Sequence, residues 1–403
     1  MDLALTEDHV HIQTLCRALA ADFAARAAEH DRDASSPVEN YTALRKAGLF
    51  GLTIPKQFGG WGAGLLGYTI AAEEIAQGCA STALAFNMHA AMVATLTITA
   101  PLPDTTKQRI ADLVIKEGKL ICALLSEPGS TGLLPTSYAC ATQARRVAGG
   151  YVLSGKKAFC TMVAASDYIC LYAHPEEDAN PEAGVAVLLP ANSPGLHIEQ
   201  VWDTLGVRAT RSDNLMLENC FVPQAAVLGD PVPSIGEWLA NNEPVFNIPY
   251  TAVYLGVGFA ALHAVIDNVK QRQPKGYRQP LAYHPDIRRR VAVMSAQLEA
   301  ARWLLRYAAW LLDTQGHKPE VLATYLKAKY MVGEAVTAAT RSALEMGGAH
   351  ALFKPSTIER LFRDGATASI QHPPSDYCLS ALSIHELQLD PKAAHPPLVP
   401  AWQ

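Results

Sequence analysis

The segment Ile121-Cys122-Ala123-Leu124-Leu125-Ser126-Glu127-Pro128-Gly129 decides the fold class of this chain. Its first five residues are apolar, and they stop abruptly at a turn-rich loop that exposes backbone N–H groups and a serine hydroxyl. Two alternating runs follow, residues 138–142 and 151–153, with a turn at Gly149-Gly150 between them. The second run continues into Gly155-Lys156-Lys157-Ala158-Phe159-Cys160-Thr161. Short strands joined by tight turns predict a β domain here, and the first loop suits a polar ligand.

Helical periodicity surrounds this β region on both sides. Towards the N-terminus, apolar residues predict a first helix through Ile12 and Phe23 and further helices over residues 41–50, 68–78 and 81–99. After residue 231, helices are predicted from Pro285 past residue 312 and from Glu320 to Gly347-Gly348. Between them, further strands are predicted over residues 168–173, 184–189, 196–201 and 215–222. The pattern indicates an α+β protein with three domains: helical residues 1–119, β residues 120–230 and a helical bundle in residues 231–403.

Composition excludes several classes of protein. The chain has 403 residues, of which 49% are hydrophobic, so it can bury a large core. A formal net charge of −5 provides no basic excess for a nucleic-acid backbone. Eight scattered cysteines without a close pair predict reduced, buried thiols and no metal site. The acidic start lacks a secretory signal, so we expect a cytoplasmic protein. The long apolar run at residues 83–102 contains Asn87 and His89, which predicts a buried helix and no membrane span.

The segment from Leu125 to Gly129, the following hairpin and the segment from Gly155 to Thr161 resemble the flavin-binding middle domain of the acyl-CoA dehydrogenase family. The resemblance covers nearly the whole chain and includes Glu345-Met346-Gly347-Gly348 and the segment from Arg360 to Asp364. It implies an N-terminal helical domain, a middle β-barrel or sandwich domain and a C-terminal four-helix bundle. It also implies FAD, with FMN as the less favoured cofactor, and a homodimer or homotetramer.

The resemblance also implies a set of cofactor contacts. Ser126 and Thr161 would bind the edge of the flavin ring, with Thr161 near N5, and Phe159 would pack on its face. Arg272 would reach the FAD pyrophosphate of a neighbouring subunit, close to where Gly347 and Gly348 approach the same cofactor. The remaining cofactor-binding residues that it implies are Leu124 and Asp376. Without the family, Phe159 and Thr161 are ordinary strand residues, Arg272 is a solvated charge and Gly347-Gly348 is a helix end.

The sequence departs from the family at the catalytic base. Where acyl-CoA dehydrogenases commonly carry a glutamate, nine residues after Arg363, this chain has His372. The alternative glutamate position of another branch is Phe246, which we assign to the substrate site, and Glu243 is a second candidate base three residues before it. The pKa of a free histidine is about 6.5 and that of a free glutamate is about 4.3, so an imidazole is available as a base at neutral pH. The alternative is that His372 only caps a helix end beside Pro373-Pro374.

A second departure concerns the substrate. A serine that often contacts FAD or the pantetheine in the family is replaced by Gly132. We therefore assign Gly132 to the substrate site. The missing serine weakens the prediction of a CoA thioester substrate more than the prediction of a flavin. An acyl carrier protein is an alternative carrier.

Three functions follow from these residues. The leading prediction is α,β-dehydrogenation of an acyl thioester with hydride transfer to flavin N5 and a separate electron acceptor. The alternative is a two-component flavin-dependent monooxygenase, which uses reduced flavin and O2 and needs a flavin reductase. A third class is a catalytically silent flavoprotein that serves as a scaffold.

Overall fold

A computed structural model of the chain describes residues 4–129, 140–180, 182–229 and 235–390. The first helix begins where Thr6 accepts a hydrogen bond from the backbone N–H of His9, an arrangement that caps a helix N-terminus. The N-terminal helices are α1 (Glu7–Asp33), α2 (Val38–Lys46), α3 (Gly64–Gly78), α4 (Ala80–Ala94) and α5 (Asp104–Ile115). Helices α3 and α4 are almost wholly buried, so they form the centre of this part of the chain.

Two predicted helix boundaries in this part were wrong. The helix predicted over residues 41–50 ends at Lys46, because Gly48 has φ of +74° and starts a separate short turn, Leu49–Gly51. The helix predicted over residues 81–99 ends at Ala94 and continues as one wider turn, Thr95–Thr99, with π-helical hydrogen bonding.

The middle part is a curled sheet whose strands are β1 (Ile121–Leu124), β2 (Gln143–Val147), β3 (Gly150–Cys160), β4 (Tyr168–Pro175), β5 (Val185–Pro190), β6 (Leu196–Glu199) and β7 (Asp213–Pro223). Their order is β1-β4-β2-β3-β7-β6, and β5 pairs with β4. The strand predicted over residues 138–142 was wrong for its described part, since β2 begins at Gln143; residues 138 and 139 lie outside the described residues. The N–H groups of Ala141 and Thr142 donate to the Glu127 side chain instead of to a neighbouring strand.

The C-terminal part contains α6 (Ile235–Gln271), α7 (Pro285–Gln315), α8 (Pro319–Gly347), α9 (Thr357–Gly365) and α10 (Ser375–Glu386). Helix α6 packs closely on α3, because a Cβ at Gly256 would lie 2.3 Å from the carbonyl oxygen of Glu73. Two segments are long and apolar enough to cross a membrane, Ala80–Thr99 and Asn242–Gln271, but 83% and 72% of their apolar windows are buried inside the protein. They are core helices, as predicted for the first of them.

The cysteines are unpaired, as the sequence predicted. Seven of the eight are buried, and Cys140 is partly buried. None of the eight forms a disulfide in the structure.

Arg363 and Asp364 at the end of α9 join the three parts of the chain. The Arg363 guanidinium donates to Asp31 of α1 at 2.5 Å, to Glu359 at 2.7 Å and to the carbonyl oxygen of Leu205 at 3.1 Å. Asp364 accepts from the backbone N–H of Val207 at 2.6 Å. Burial raises the pKa of Asp364 to about 6, although Arg360 acts in the opposite direction. The β domain is therefore fixed to α9 through its backbone at residues 205–207.

Replacing Arg363 with methionine should destabilise the protein by about 3–5 kcal/mol, because Asp31 would lose its cation and Glu359 would keep only the exposed Lys354. Arg341→Met is the matched control: its side chain is 75% exposed and pairs only with Glu345 at the surface. We expect the control to change the free energy of unfolding by less than about 0.5 kcal/mol. Urea unfolding followed by circular dichroism measures both variants. Equal stability of the two variants would contradict a structural role for the junction.

Candidate functional site

Phe159 is turned out of the sheet by a β-bulge in β3. The register between β3 and β7 shifts between Lys157 and Cys160, and Phe159 has φ of +55°. Bulges re-aim side chains in this way. The Phe159 ring is 65% exposed and meets Trp202 edge to face, with 6.2 Å between ring centroids. The β domain therefore presents an apolar aromatic surface that suits a flat ring system.

Ser126 and Thr161 lie on either side of this bulge. The carbonyl oxygen of Ser126 accepts from the N–H of Ala158 at 2.9 Å, which brings the exposed Ser126 next to Phe159. The Thr161 hydroxyl lies 2.9 Å from the Ser212 hydroxyl, which lies 2.9 Å from that of Thr210. Three hydroxyls carry three donors and these two bonds use two of them. If Thr210 donates to Ser212 and Ser212 donates to Thr161, the Thr161 hydroxyl keeps its own donor for a ligand. This arrangement fits the edge of a flavin, whose ring nitrogens and carbonyl oxygens accept hydrogen bonds.

Leu124 does not share this exposed surface. Its side chain is 1% exposed and belongs to the core of the β domain, next to its β4 partner Leu171. Strand β1 is buried on both faces, so the Leu124 side chain is not free to bind a cofactor. Only the backbone of Leu124 is left for the predicted contact.

Glu127 holds both ends of the loop that follows β1. Its carboxylate accepts from Lys157 Nζ at 2.5 Å, from the Thr142 hydroxyl at 2.6 Å and from the Ala141 N–H at 2.5 Å. The Lys157 side chain is fully buried. Burial alone would raise the pKa of Glu127, but Lys157 and the hydrogen bonds lower it to about 2. This buried ion pair fixes β3 two residues before the bulge.

A second group of predicted cofactor residues comes together at the far end of the bundle. The Arg272 guanidinium donates to the carbonyl oxygen of Gly347 at 2.8 Å. A Cβ at Gly348, which has φ of +65°, would lie 3.1 Å from Arg272 Nη1. Arg272, the buried Gly347 and the partly buried Gly348 therefore form one small group that contains a cation, which suits a phosphate group.

His372 lies in the loop before α10 and faces α6. Its Nε2 is 3.6 Å from Glu243 Oε1, and its ring centroid is 6.2 Å from that of Tyr377. Phe246 lies one turn further along α6 and is 8% exposed. Asp376 is exposed in the first turn of α10. Among the described residues, no hydrogen bond or ion pair joins it to the Phe159 group or to the Arg272 group. Gly132 lies outside the described residues.

A continuous core connects the β bulge to the His372 side of the molecule. Met162, the residue after Thr161, belongs to the same hydrophobic cluster as Phe246. Asn87 of α4 donates to the carbonyl oxygen of Phe246 at 3.2 Å. One packed core thus supports both Thr161, the predicted flavin-edge residue, and the part of α6 that faces His372, the predicted base.

Sequence reasoning missed three residues of this site: Trp202, Ser212 and Lys157. Trp202 and Ser212 lie far from β3 along the chain, and no local pattern connects them to it. Lys157 gave a usable signal, because a charged residue at an inward-facing strand position requires a buried partner.

The three domains and the exposed aromatic bulge fit a flavin-dependent oxidoreductase of the three-domain α+β class. Family models match the chain in order: "Acyl-CoA dehydrogenase, N-terminal domain" over residues 6–115, "middle domain" over residues 122–220 and "C-terminal domain" over residues 248–374. The chain belongs to the acyl-CoA dehydrogenase family. Members of this family are flavoproteins that oxidise CH–CH groups.

Individual relatives and structures agree with this assignment. The short-chain specific acyl-CoA dehydrogenase of Bos taurus mitochondria is 29% identical over 378 residues, 92% of this chain and 88% of the relative. The butyryl-CoA dehydrogenase of Megasphaera elsdenii superposes with a TM-score of 0.87 at 22% identity, over 96% of this chain and 100% of that one. FMN-bound TdsC from Paenibacillus sp. A11-2 superposes with a TM-score of 0.84 at 24% identity, over 94% and 97%. At these identities the two structures establish the fold alone.

Lys157→Met should destabilise the protein by about 3–5 kcal/mol at neutral pH, since it leaves the Glu127 carboxylate buried without a cation. The pKa of Glu127 is lowered from 4.5 to about 2, so the ion pair stabilises the wild type above pH 4.5 and this contribution is lost as the pH falls towards 2. The stability difference between wild type and variant should therefore narrow on acidification.

Urea unfolding at neutral and acidic pH measures this difference. Lys156→Met is the matched control, because the neighbouring Lys156 is 33% exposed and pairs with Glu199 at the surface. If Lys157→Met and Lys156→Met unfold alike at neutral pH, the Glu127 pair does not hold the bulge.

Proposed function

We propose that this protein is an FAD-dependent dehydrogenase that introduces an α,β double bond into an acyl thioester, with His372 as the base. The observation that carries the proposal is the exposed Phe159 bulge, with Ser126 and the Thr161 hydroxyl on either side of it. Flavin, when bound there, supplies the acceptor for the substrate's β-hydride. The relationship to the bovine short-chain acyl-CoA dehydrogenase supports an acyl thioester as the substrate.

The role of His372 follows from its place and its chemistry. It stands on the loop between α9 and α10, where related enzymes carry a glutamate, and its side chain is 45% exposed. An imidazole has two ring nitrogens, so it can take a proton on one while the other is held by a neighbouring group. A base in this place removes the α-proton on the side of the substrate opposite the flavin.

The substrate and partner assignments complete the proposal. The buried Phe246 would limit the acyl pocket next to α6. Gly132, outside the described residues, keeps its predicted assignment to the substrate site. The acyl group would be carried by CoA, with an acyl carrier protein as the alternative carrier. A separate electron-accepting protein would reoxidise the flavin in the cytoplasm. A homodimer or homotetramer would place Arg272, Gly347 and Gly348 of one subunit on the pyrophosphate of the partner's FAD.

The second candidate function is a two-component flavin monooxygenase, for which a flavin reductase supplies reduced flavin. The observation that favours it is the histidine in place of the usual glutamate. The fold is also that of TdsC, whose structure contains FMN. An imidazole next to a flavin can donate a hydrogen bond as well as accept a proton, so His372 is compatible with both functions.

We expect anaerobic addition of acyl-CoAs, from butyryl-CoA to palmitoyl-CoA, to bleach the absorbance of the oxidised flavin. His372→Ala should slow this bleaching by about 10²- to 10⁴-fold, the usual contribution of a general base. His350→Ala is the matched control, because His350 lies in the turn after α8 and is exposed. Stopped-flow absorbance gives the rates.

Two results would contradict this function. Wild-type protein that holds flavin but is bleached by none of the acyl-CoAs is not an acyl-CoA dehydrogenase. Substrate-dependent O2 consumption that requires an added NADH:flavin reductase would favour the monooxygenase.

Arg272→Leu should weaken FAD binding by about tenfold to a hundredfold, the effect of losing a hydrogen bond to a charged group. FMN carries only the ribityl-side phosphate of the pyrophosphate, so its affinity should not change if Arg272 binds the outer phosphate, on the adenosine side. Isothermal titration of flavin-free protein measures both affinities. Arg278→Leu, on the exposed loop after α6, is the control. Equal losses for FAD and FMN would place Arg272 elsewhere on the cofactor, and no loss for either would remove it from the site.

A further inference from the structure

Glu243 and His372 face each other across the gap between α6 and the loop before α10. The distance from Nε2 to Oε1 is 3.6 Å, and the side chains are 23% and 45% exposed for Glu243 and His372 respectively. In the described part of the chain, His372 is the one basic side chain within 4 Å of the Glu243 carboxylate. The contact joins residues from two different elements, so the fold itself brings them together.

The Glu243 carboxylate is held in place by its own helix. Asn247, one turn later on α6, donates to Glu243 Oε1 at 3.3 Å. Asn247 is itself 8% exposed, and its carbonyl oxygen accepts from the Thr251 hydroxyl. The carboxylate is therefore oriented from the buried side, with the imidazole on its more exposed side.

Three further titratable groups lie around the pair: Tyr325, Cys378 and Lys329. Tyr325 of α8 and Cys378 of α10 lie within electrostatic reach of Glu243, and burial raises the pKa of both, to about 11 for Cys378. Both are neutral at physiological pH. Lys329 of α8 donates to the carbonyl oxygen of Ala368 at 2.9 Å, and burial lowers its pKa to about 8. Tyr377 of α10 contributes a ring next to His372.

We propose that Glu243 is a positioning residue for His372 and that the two side chains together replace the missing catalytic glutamate. This inference rests on the proposed function and adds a second residue to its base. The 3.6 Å separation is slightly longer than a hydrogen bond, and a small rotation of either side chain lets Glu243 accept the Nε2–H of His372. That bond would fix the tautomer and leave the lone pair of Nδ1 for the substrate. The negative carboxylate then stabilises the imidazolium that forms.

The proton transfer balances as follows. The α C–H bond of the acyl thioester breaks and an N–H bond forms on Nδ1. The electron pair of the broken bond stays on the substrate and becomes part of the new double bond, while the β-hydride leaves to the flavin oxidant. Nε2–H remains between His372 and Glu243, so the carboxylate does not take up the proton.

The first test measures solvent deuterium incorporation at the α-carbon of butyryl-CoA, together with flavin bleaching. Glu243→Gln keeps the size of the side chain and removes its charge, and we expect about a tenfold or greater loss in both rates at unchanged flavin affinity. Glu320→Gln, exposed at the start of α8, is the control and should match the wild type. Formate should restore exchange to Glu243→Ala, and imidazole should restore it to His372→Ala. A purely structural role for Glu243 predicts no rescue by formate.

The outcomes separate this inference from the proposed function. Wild-type exchange and bleaching with Glu243→Gln equal to wild type would overturn the pair and leave the dehydrogenase intact. Complete loss in Glu243→Gln with exchange retained in His372→Ala would make Glu243 the base and overturn the assigned roles. A wild type that neither bleaches nor exchanges with any acyl-CoA overturns the function and the pair together.

The second test needs neither flavin turnover nor substrate. Magic-angle-spinning NMR of 15N-histidine-labelled, flavin-free protein reports which ring nitrogen carries hydrogen, and a His372→Gln sample assigns the signal among the 13 histidines. We expect the wild type to hold the Nε2–H tautomer and Glu243→Ala to show a mixture of both. An Nδ1–H tautomer in the wild type would overturn the proposed orientation.

Discussion

The double attachment of Arg363 and Asp364 is the constraint on which the rest of the structure depends. The arginine bonds to α1 through Asp31, and the aspartate accepts the backbone N–H of Val207 in the β domain. A flavin site in this fold needs groups from the sheet and from the bundle at once. Helix α9 fixes the position of both groups. It contacts the β domain through Asp364, it ends at Gly365, and His372 follows seven residues later. A shift of an ångström at this junction would displace His372, the proposed base, relative to Thr161, the proposed flavin-edge residue.

Within the β domain, a buried ion pair and a strained residue act together. Lys157 is fixed by Glu127, and two residues later Phe159 adopts a positive φ that is unusual for an aromatic residue. A conformation of this kind persists when its surroundings determine it, and it is concentrated at ligand sites. The same Glu127 carboxylate binds the loop on its other side, at Ala141 and Thr142. One glutamate thus shapes both the aromatic surface and the loop next to it.

The sequence predicted the three-part fold, and the structure and family models confirm it. Long periodic segments such as α7 and α8 were predicted closely, whereas the end of α2 was missed because Gly48 breaks the helix before the apolar pattern ends. The site was predicted residue by residue from motifs, but its contacts were not. The approach of Glu243 to His372 depends on how α6 meets the loop before α10. The Thr161–Ser212–Thr210 chain of hydroxyls joins the segment after β3 to the segment before β7. Contacts between residues far apart in sequence are set by packing, which no local pattern encodes.

The central claim is that a flavin ring lies against the Phe159 bulge with His372 on the other side of the substrate. An experimental structure of the FAD-loaded protein with a non-reactive acyl-CoA analogue tests this claim most directly. We expect the edge of the flavin ring at Thr161 and its face at Phe159. The α-carbon of the analogue should lie within reach of a His372 ring nitrogen. A flavin bound away from β3, or an imidazole directed away from the analogue, would contradict it.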